Sequence, residues 1–383
     1  MKVAEARIYV IDTGSYRPIV VELRTDEGIT GVGEAAMGFG IGTRSCAEMT
    51  TELAEAFVVG RDAFRIAEIW NDCFYHTFWG KGGGTVIWAA TGALEIALWD
   101  IKGKALGVPV YEMLGGKQRD EIQVYANDWS RQDTPAAFAR RAQEVVRDGF
   151  DMIKVYPLSL ADKDRNINRH IKNREISQEL EDRCCQIVRE VRYAVGDKIR
   201  IMVDLTCEPT PDVAARIGKR IAVYDPYWYE EPVDPSDPEG YRKVRCETGL
   251  SVAGGERLYT RCGFLPFLEK ACLDIVQPDP GTCGGILEAF SIGRMAEAAD
   301  VRFAAHNCGG PVLTAACVQL SAALGNAAAQ EIFPYRPEIH YAIVEEAYEN
   351  KIENGRLAVP EQPGLGIQLN HKVTDRFLYR EVR

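Results

Sequence analysis

Apolar and polar positions follow two different rhythms along this chain. The first 118 residues open with strand-like runs: Val3 to Ile11, Ile19-Val-Val-Glu-Leu-Arg24 and Ile29-Thr-Gly-Val-Gly-Glu34. A Thr-Asp-Glu-Gly turn between the last two predicts a hairpin. A glycine-rich stretch, Met37-Gly-Phe-Gly-Ile-Gly42, predicts a mobile loop, and helical periodicity follows near 44–59, 63–77 and 85–106. Residues 1–118 therefore predict an α+β unit, left through Val108-Pro-Val-Tyr-Glu-Met-Leu-Gly-Gly116.

Over residues 119–345 the rhythm becomes short apolar runs separated by helical stretches. Ile122-Gln-Val-Tyr-Ala126 and Met152-Ile-Lys-Val-Tyr156 are the first two strands. Six further segments end on residues that can do chemistry: Asp204, Glu230, Glu256, Asp279, His306 and Glu331, in steps of 26, 26, 23, 27 and 25 residues. Each step fits one strand, one helix and two loops. Polar residues at the C-terminal end of every strand are the pattern of a (β/α)₈ barrel with its active site on that face. A charged stretch from Asp162 to Arg174 follows the second strand and is expected either to overhang that face or to form a solvated loop or subunit contact. Residues 346–383 predict a hairpin around 352–360 and a tail that packs back on the first domain.

Bulk properties narrow the function. A formal charge of −11 argues against nucleic-acid or membrane-surface binding, and no apolar run is long enough to span a bilayer. The start, Met1-Lys-Val-Ala-Glu-Ala-Arg, carries no signal-peptide core. Eleven cysteines without a Cys-x-x-Cys framework predict reduced, buried thiols in a cytoplasmic protein. Cys207, Cys283 and Cys308 fall near strand ends, where carboxylates offer the better metal ligands.

Asp204, Glu230 and Glu256 end three successive strands, and adjacent parallel strands lie about 4.8 Å apart. Converging carboxylates repel unless a cation neutralises them, and hard oxygen ligands suit Mg²⁺. Asp279 and His306 end the next two strands, so a carboxylate can orient an imidazole as general base. Glu331 could hydrogen-bond a substrate or pair with a basic residue. Lys154 and Tyr156 share one strand face. Lys154 could neutralise a substrate carboxylate, pair with the acidic residues, or lower the pKa of Tyr156 so that the phenol moves protons.

These residues carry a resemblance. Ala97-Leu-Trp-Asp100-Ile-Lys-Gly-Lys104, Lys154-x-Tyr156, Glu230-Glu-Pro232, Gly255-Glu-Arg257, Gln277-Pro-Asp279 with Gly284-Gly285, and His306 resemble the mandelate racemase subgroup of the enolase superfamily over nearly the whole chain. The resemblance implies a modified TIM barrel, (β/α)₇β, with an N-terminal α+β capping domain completed by the C-terminal tail. It implies Asp204, Glu230 and Glu256 as Mg²⁺ ligands, Asp279 and His306 as the basic dyad, Glu331 as a stabiliser of the enolate, and a homo-oligomer. The barrel's second half is similar to galactonate-type sugar-acid dehydratases. Two positions depart from familiar patterns. Tyr156 stands where many relatives have a second Lys, as in a galactarate dehydratase type. Thr206 stands where galactonate- and mannonate-type enzymes have a histidine acid.

The expected reaction is Mg²⁺-assisted removal of the proton next to a carboxylate, then loss of the neighbouring hydroxyl to give a 2-keto-3-deoxy acid. His306 and Tyr156 are base and acid, in an order the sequence leaves open. A racemase or epimerase of an α-hydroxy acid, or a lactone cycloisomerase, would use the same enolate. A zinc hydrolase needs several histidine ligands, and of five histidines only His306 ends a clear barrel strand. The substrate is expected to be a small carboxylate, read by Tyr16 and Arg17 from Gly14-Ser-Tyr-Arg17 and covered by the glycine-rich loop.

Overall fold

The computed structural model describes residues 1–14, 16–159, 171 and 174–383. Ser15 and most of the charged stretch after Tyr156 lie outside the described residues.

The hairpin forms as the turn residues predict. Strands β1 (Val3–Val10), β2 (Ile19–Thr25) and β3 (Thr30–Ala35) make an antiparallel meander. Three helices follow: α1 (Thr43–Leu53), α2 (Ile66–Tyr75) and α3 (Thr85–Leu106). Helix α3 is apolar on nearly all sides because it is buried on nearly all sides, and it lies directly on β3. Gly33 permits that approach: a Cβ there would meet the Ala93 carbonyl oxygen at far below van der Waals distance. A short helix, α4 (Val110–Met113), leads out of this region.

Eight parallel strands follow among the described residues. They are β4 (Glu121–Ala126), β5 (Met152–Val155), β6 (Arg200–Asp204), β7 (Trp228–Glu230), β8 (Val252–Gly254), β9 (Ile275–Val276), β10 (Arg302–Phe303) and β11 (Gln330–Ile332). They pair in chain order from β4 to β10, and β11 pairs with β4. The ring closes where Phe303 bridges Ala327, just before β11. Seven helices fill the connections: α5 (Pro135–Arg147), α6 (Gln178–Val195), α7 (Pro211–Ile221), α8 (Pro238–Thr248), α9 (Thr260–Glu269), α10 (Ile286–Ala298) and α11 (Pro311–Ala323). This is the (β/α)₇β order. The tail divides between the two sheets: β12 (Arg356–Ala358) pairs antiparallel with barrel strand β4, and β13 (Leu378–Val382) adds to β1.

The barrel interior is closed by one side chain from each strand or its immediate flank: Tyr125, Met152, Met202, Trp228, Ala253, Ile275, Ala304 and Ala329. Five are large and three are alanines, so the layer fills without a pore.

Two buried carboxylates clamp the first domain to the barrel. Glu34, at the end of β3, accepts hydrogen bonds from the backbone N–H of Gly310 (2.6 Å) and Leu313 (3.0 Å) at the start of α11. Glu95 on α3 accepts from Ile286 (2.7 Å) and Leu287 (2.9 Å) at the start of α10, and from Trp99 Nε1 (2.6 Å). Helix N-termini present unpaired N–H groups and partial positive charge, so carboxylates are the natural partners. Burial nevertheless pushes both carboxyls up to about 8. Asp100 repeats the device within the first domain, accepting from Val32 (2.9 Å), Leu365 (2.8 Å) and Lys104 (2.7 Å). Glu34→Ala leaves two buried N–H groups without an acceptor, at roughly 1–3 kcal/mol each. A lower urea midpoint than wild type is the expected result, with Glu34→Gln in between. An unchanged midpoint in the alanine variant would mean that Glu34 does not tie the two parts together.

No helix among the described residues is long and apolar enough to cross a membrane. All eleven cysteines are free.

Candidate active site

The interior layer explains how the site is built. Side chains on a strand alternate, so a residue two positions beyond an inward-facing one also faces inward, one level higher. Tyr125 leads to Asn127, Met152 to Lys154 and Tyr156, Met202 to Asp204, Trp228 to Glu230, Ala304 to His306 and Ala329 to Glu331. On β9, Ile275 leads to Gln277 and then Asp279. Glu256 breaks the count, three residues after Ala253, because Gly255 takes a φ of 133° that brings the chain back toward the axis. A side chain at Gly255 would also strike the Phe264 ring. Strands β8, β9 and β10 end two or three residues before Glu256, Asp279 and His306. These residues therefore occupy loops at the barrel mouth rather than the last rungs expected from the sequence.

Asp204, Glu230 and Glu256 each offer a carboxylate oxygen, all within 4.8 Å of one another. Lys154 is fully buried among the acids, 2.5 Å from Glu230 Oε1, 2.8 Å from Glu331 Oε1 and 3.4 Å from Asp204 Oδ2. Burial opposes its charge, but Glu230 and Glu331 hold the ammonium well above the ordinary lysine value. Trp228 Nε1 fixes the other Glu230 oxygen at 2.8 Å. Burial would raise Glu230, but Lys154 and these hydrogen bonds keep it below the usual range. Asp204 and Glu256 go the other way, raised by burial and by Glu230. Lys154 thus pairs closely with Glu230, and Arg257 Nη1 lies 2.6 Å from Glu256 Oε1, while Asp204 has only the longer Lys154 contact. The donor set fits a hard divalent cation.

His306 Nδ1 donates to Asp279 Oδ2 at 2.7 Å, and Asp279 Oδ1 accepts from the Gly281 N–H at 2.7 Å. That pairing leaves Nε2 toward the triad, 3.3 Å from Glu256 Oε2 and 3.9 Å from Glu331 Oε2. Burial lowers the imidazole, but Glu256, Glu331 and Asp279 raise it well above its ordinary value.

Tyr156 corrects one expectation. Lys154 does lower its pKa, yet burial first, then Asp204, Glu331 and Glu230, lift the phenol well above the usual value. Asn127, which the sequence reading did not single out, donates to Tyr156 Oη (2.6 Å) and Glu331 Oε1 (2.5 Å). Glu331 also accepts from the Asn307 N–H at 2.9 Å, so both its oxygens are engaged within the protein. The inward parity of β4 was the available signal for Asn127.

A cavity of about 360 Å³ opens on this face. Tyr156, Asp204, Thr206, Glu256, Asp279 and His306 line it, while Lys154, Glu230 and Glu331 are buried away from that wall. Met37 and Phe39 of the glycine-rich loop line it too. Tyr16 and Arg17 do not: Tyr16 is fully buried, and Arg17 points outward and donates to the Gly40 carbonyl at 2.7 Å. Arg17 thus ties its own turn to the glycine-rich loop. Asp128, Thr206, Cys207 and Glu231, just beyond β4, β6 and β7, all have positive φ. Such strain costs roughly 1–3 kcal/mol per residue and clusters at functional sites.

Residues 7–115 match the family model for the mandelate racemase / muconate lactonizing enzyme N-terminal domain, and residues 137–373 match the enolase C-terminal domain-like model. The chain belongs to the mandelate racemase/muconate lactonizing enzyme family. Among curated members of that family, it is 34% identical to a D-xylonate dehydratase of Haloferax volcanii, over 96% of this chain and 87% of the relative. It is 32% identical to a D-galactonate dehydratase of Pectobacterium atrosepticum, over 93% and 90%. A solved enolase-superfamily member from Salmonella Typhimurium is 33% identical, with a TM-score of 0.93 over all of both chains. A mandelate racemase/muconate lactonizing enzyme structure from Jannaschia sp. CCS1 is 29% identical, with a TM-score of 0.88 over 100% of this chain and 99% of that one.

Proposed function

We propose that this protein is a Mg²⁺-dependent dehydratase of a sugar acid, acting in the cytoplasm as a homo-oligomer. The observation that carries the reading is a carboxylate triad, with Asp204 and Glu256 on the cavity wall and Glu230 just behind it, beside a His–Asp dyad on the same cavity. Relatives named xylonate, gluconate and galactonate dehydratases, matched over more than nine-tenths of this chain, support it.

Asp204, Glu230 and Glu256 would hold the cation, which would supply Lewis-acid stabilisation to the negative charge that develops on the substrate carboxylate. Asp279 keeps His306 Nδ1 protonated, and a cation held by Glu256 would offset the negative charge that raises the imidazole, which would leave Nε2 free to take the α-proton. Tyr156, kept protonated by burial, donates to the departing β-hydroxyl, which leaves as water. The resulting enol becomes a 2-keto-3-deoxy acid. Lys154 holds Glu230 ionised and offsets the acids behind the cavity wall, and Asn127 orients Tyr156 and Glu331. Met37 and Phe39 exclude water from above.

The test is proton NMR in D₂O with Mg²⁺ and a panel of aldonates and aldarates. A 2-keto-3-deoxy product from one of them is expected. Exchange of the α-proton with no net product would remove the dehydration step and leave a racemase or epimerase.

A further inference from the structure

One wall of the cavity is basic, and the reaction above does not use it. Arg336, four residues beyond β11, and Arg131, five beyond β4, both line the cavity together with Asp128. Strands β11 and β4 are neighbours, so their exits bring these residues together. The Arg336 side chain is only 5% exposed. Its guanidinium rests on the rings of Phe333 and Tyr16, at 4.6 and 5.6 Å from their centroids, and among the described residues its Nε, 3.4 Å from Asp128 Oδ2, has no acceptor in hydrogen-bond geometry. Asp128 is the carboxylate near both cations, with Oδ2 3.4 Å from Arg336 and Oδ1 3.2 Å from Arg131. Arg131 also lies over the Phe39 ring of the glycine-rich loop. His340, packed against Tyr16, adds no charge, since burial and then Arg336 lower it to about 3.

Among the described residues Arg336 and Arg131 share Asp128; Arg131 is one-third exposed and screened by water, but Arg336 is buried and its ion pair, at 3.4 Å, lacks hydrogen-bond geometry. A buried cation so weakly paired is expensive, so a wall built this way favours an anion. Guanidinium forks match carboxylates in shape and charge, whereas a sugar hydroxyl brings no charge to the pair. Asp204, Glu256 and the dyad line the same cavity, so a ligand whose reacting carboxylate faces them can present a second group to Arg336.

We infer that Arg336 and Arg131 form a subsite for the distal carboxylate of the substrate, which makes the preferred substrate class the aldarates, dicarboxylic sugar acids, rather than aldonates. The inference rests on the sugar-acid reading of the site and fixes the far end of the molecule.

Calorimetry tests it in Mg²⁺ buffer, in a His306→Asn background to prevent turnover. The ligands are matched pairs, galactarate with galactonate and glucarate with gluconate. In at least one pair the aldarate is expected to bind 10-fold or more tightly than its aldonate. Arg336→Gln should shrink that preference to threefold or less, while aldonate and Mg²⁺ affinities stay within threefold. Arg131→Gln, at a more exposed position, should weaken the same preference and serves if the Arg336 variant does not fold. Equal affinity within both pairs, no measurable binding of either aldarate, or a preference that survives both substitutions overturns the subsite. Turnover by the His306-containing protein is scored separately. Tight aldarate binding without a keto product would remove the dehydratase reading and leave the subsite standing. A keto product made from aldonates with no aldarate preference would do the reverse.

Discussion

Replacing His306 with asparagine is expected to lower kcat by about 10²–10⁴-fold, the range that a positioned acid–base group contributes, while Mg²⁺ affinity changes little. Asparagine keeps a polar group beside Asp279 but offers no nitrogen able to take a proton. The readout that assigns the role is α-proton exchange in D₂O. If His306 is the base, exchange and dehydration disappear together. If exchange persists while the keto product is lost, His306 is the acid and Tyr156 removes the proton, the reverse of the order proposed here. Tyr156→Phe is the companion variant and should keep exchange while losing product. Wild-type turnover in His306→Asn would take the dyad out of the mechanism. The geometry favours His306 as base because Asp279, 2.7 Å from Nδ1, directs the other nitrogen toward the triad. Tyr156 is held by burial as a donor.

The barrel and the residues at its mouth were legible because both follow from period. A repeat near 26 residues fixes strand, helix and strand, and side-chain alternation decides which residues look inward. The exact strand ends were not legible: Gly255, with its positive φ, ends β8, and Pro278, which lacks an N–H, follows β9, so Glu256 and Asp279 extend from loops, as does His306 beyond β10. Asn127 was missed because an asparagine ending a strand reads as a turn residue, although alternation from Tyr125 points it inward. Glu34 and Glu95 were missed for a different reason. A glutamate in a strand or helix resembles a solvated charge until the element that buries it is known, and here that element is a helix N-terminus over 190 residues away in sequence. Arg336 is the same case: only the approach of the loops after β4 and β11 makes it a buried cation. Tyr16 and Arg17 do not line the cavity; Tyr16 lies beneath Arg336, which does.

Asp204→Asn should show the opposite of ordinary core damage. Asparagine is nearly isosteric and keeps an oxygen for the Thr206 N–H, which Asp204 Oδ1 accepts at 2.7 Å. It deletes the charge that burial and Glu230 already disfavour. In a chelator, the variant is therefore expected to unfold at a urea concentration equal to or above that of wild type. Adding Mg²⁺ should reverse the ranking. A ligand at 100 times its dissociation constant stabilises the folded state by about 2.7 kcal/mol, and wild type should gain that much. Substitutions outside the ligand set of a metal site commonly cost 10–100-fold in affinity. Losing one of three carboxylate ligands should therefore weaken Mg²⁺ by roughly 100-fold or more, leave the variant little stabilised at the same concentration, and abolish turnover. Equal Mg²⁺ stabilisation of both proteins would move the cation away from the triad. A variant markedly weaker than wild type in chelator would mean that the triad is not under charge strain without its cation, and that Lys154 alone, bridging Glu230, Glu331 and Asp204, is enough to hold the acids together.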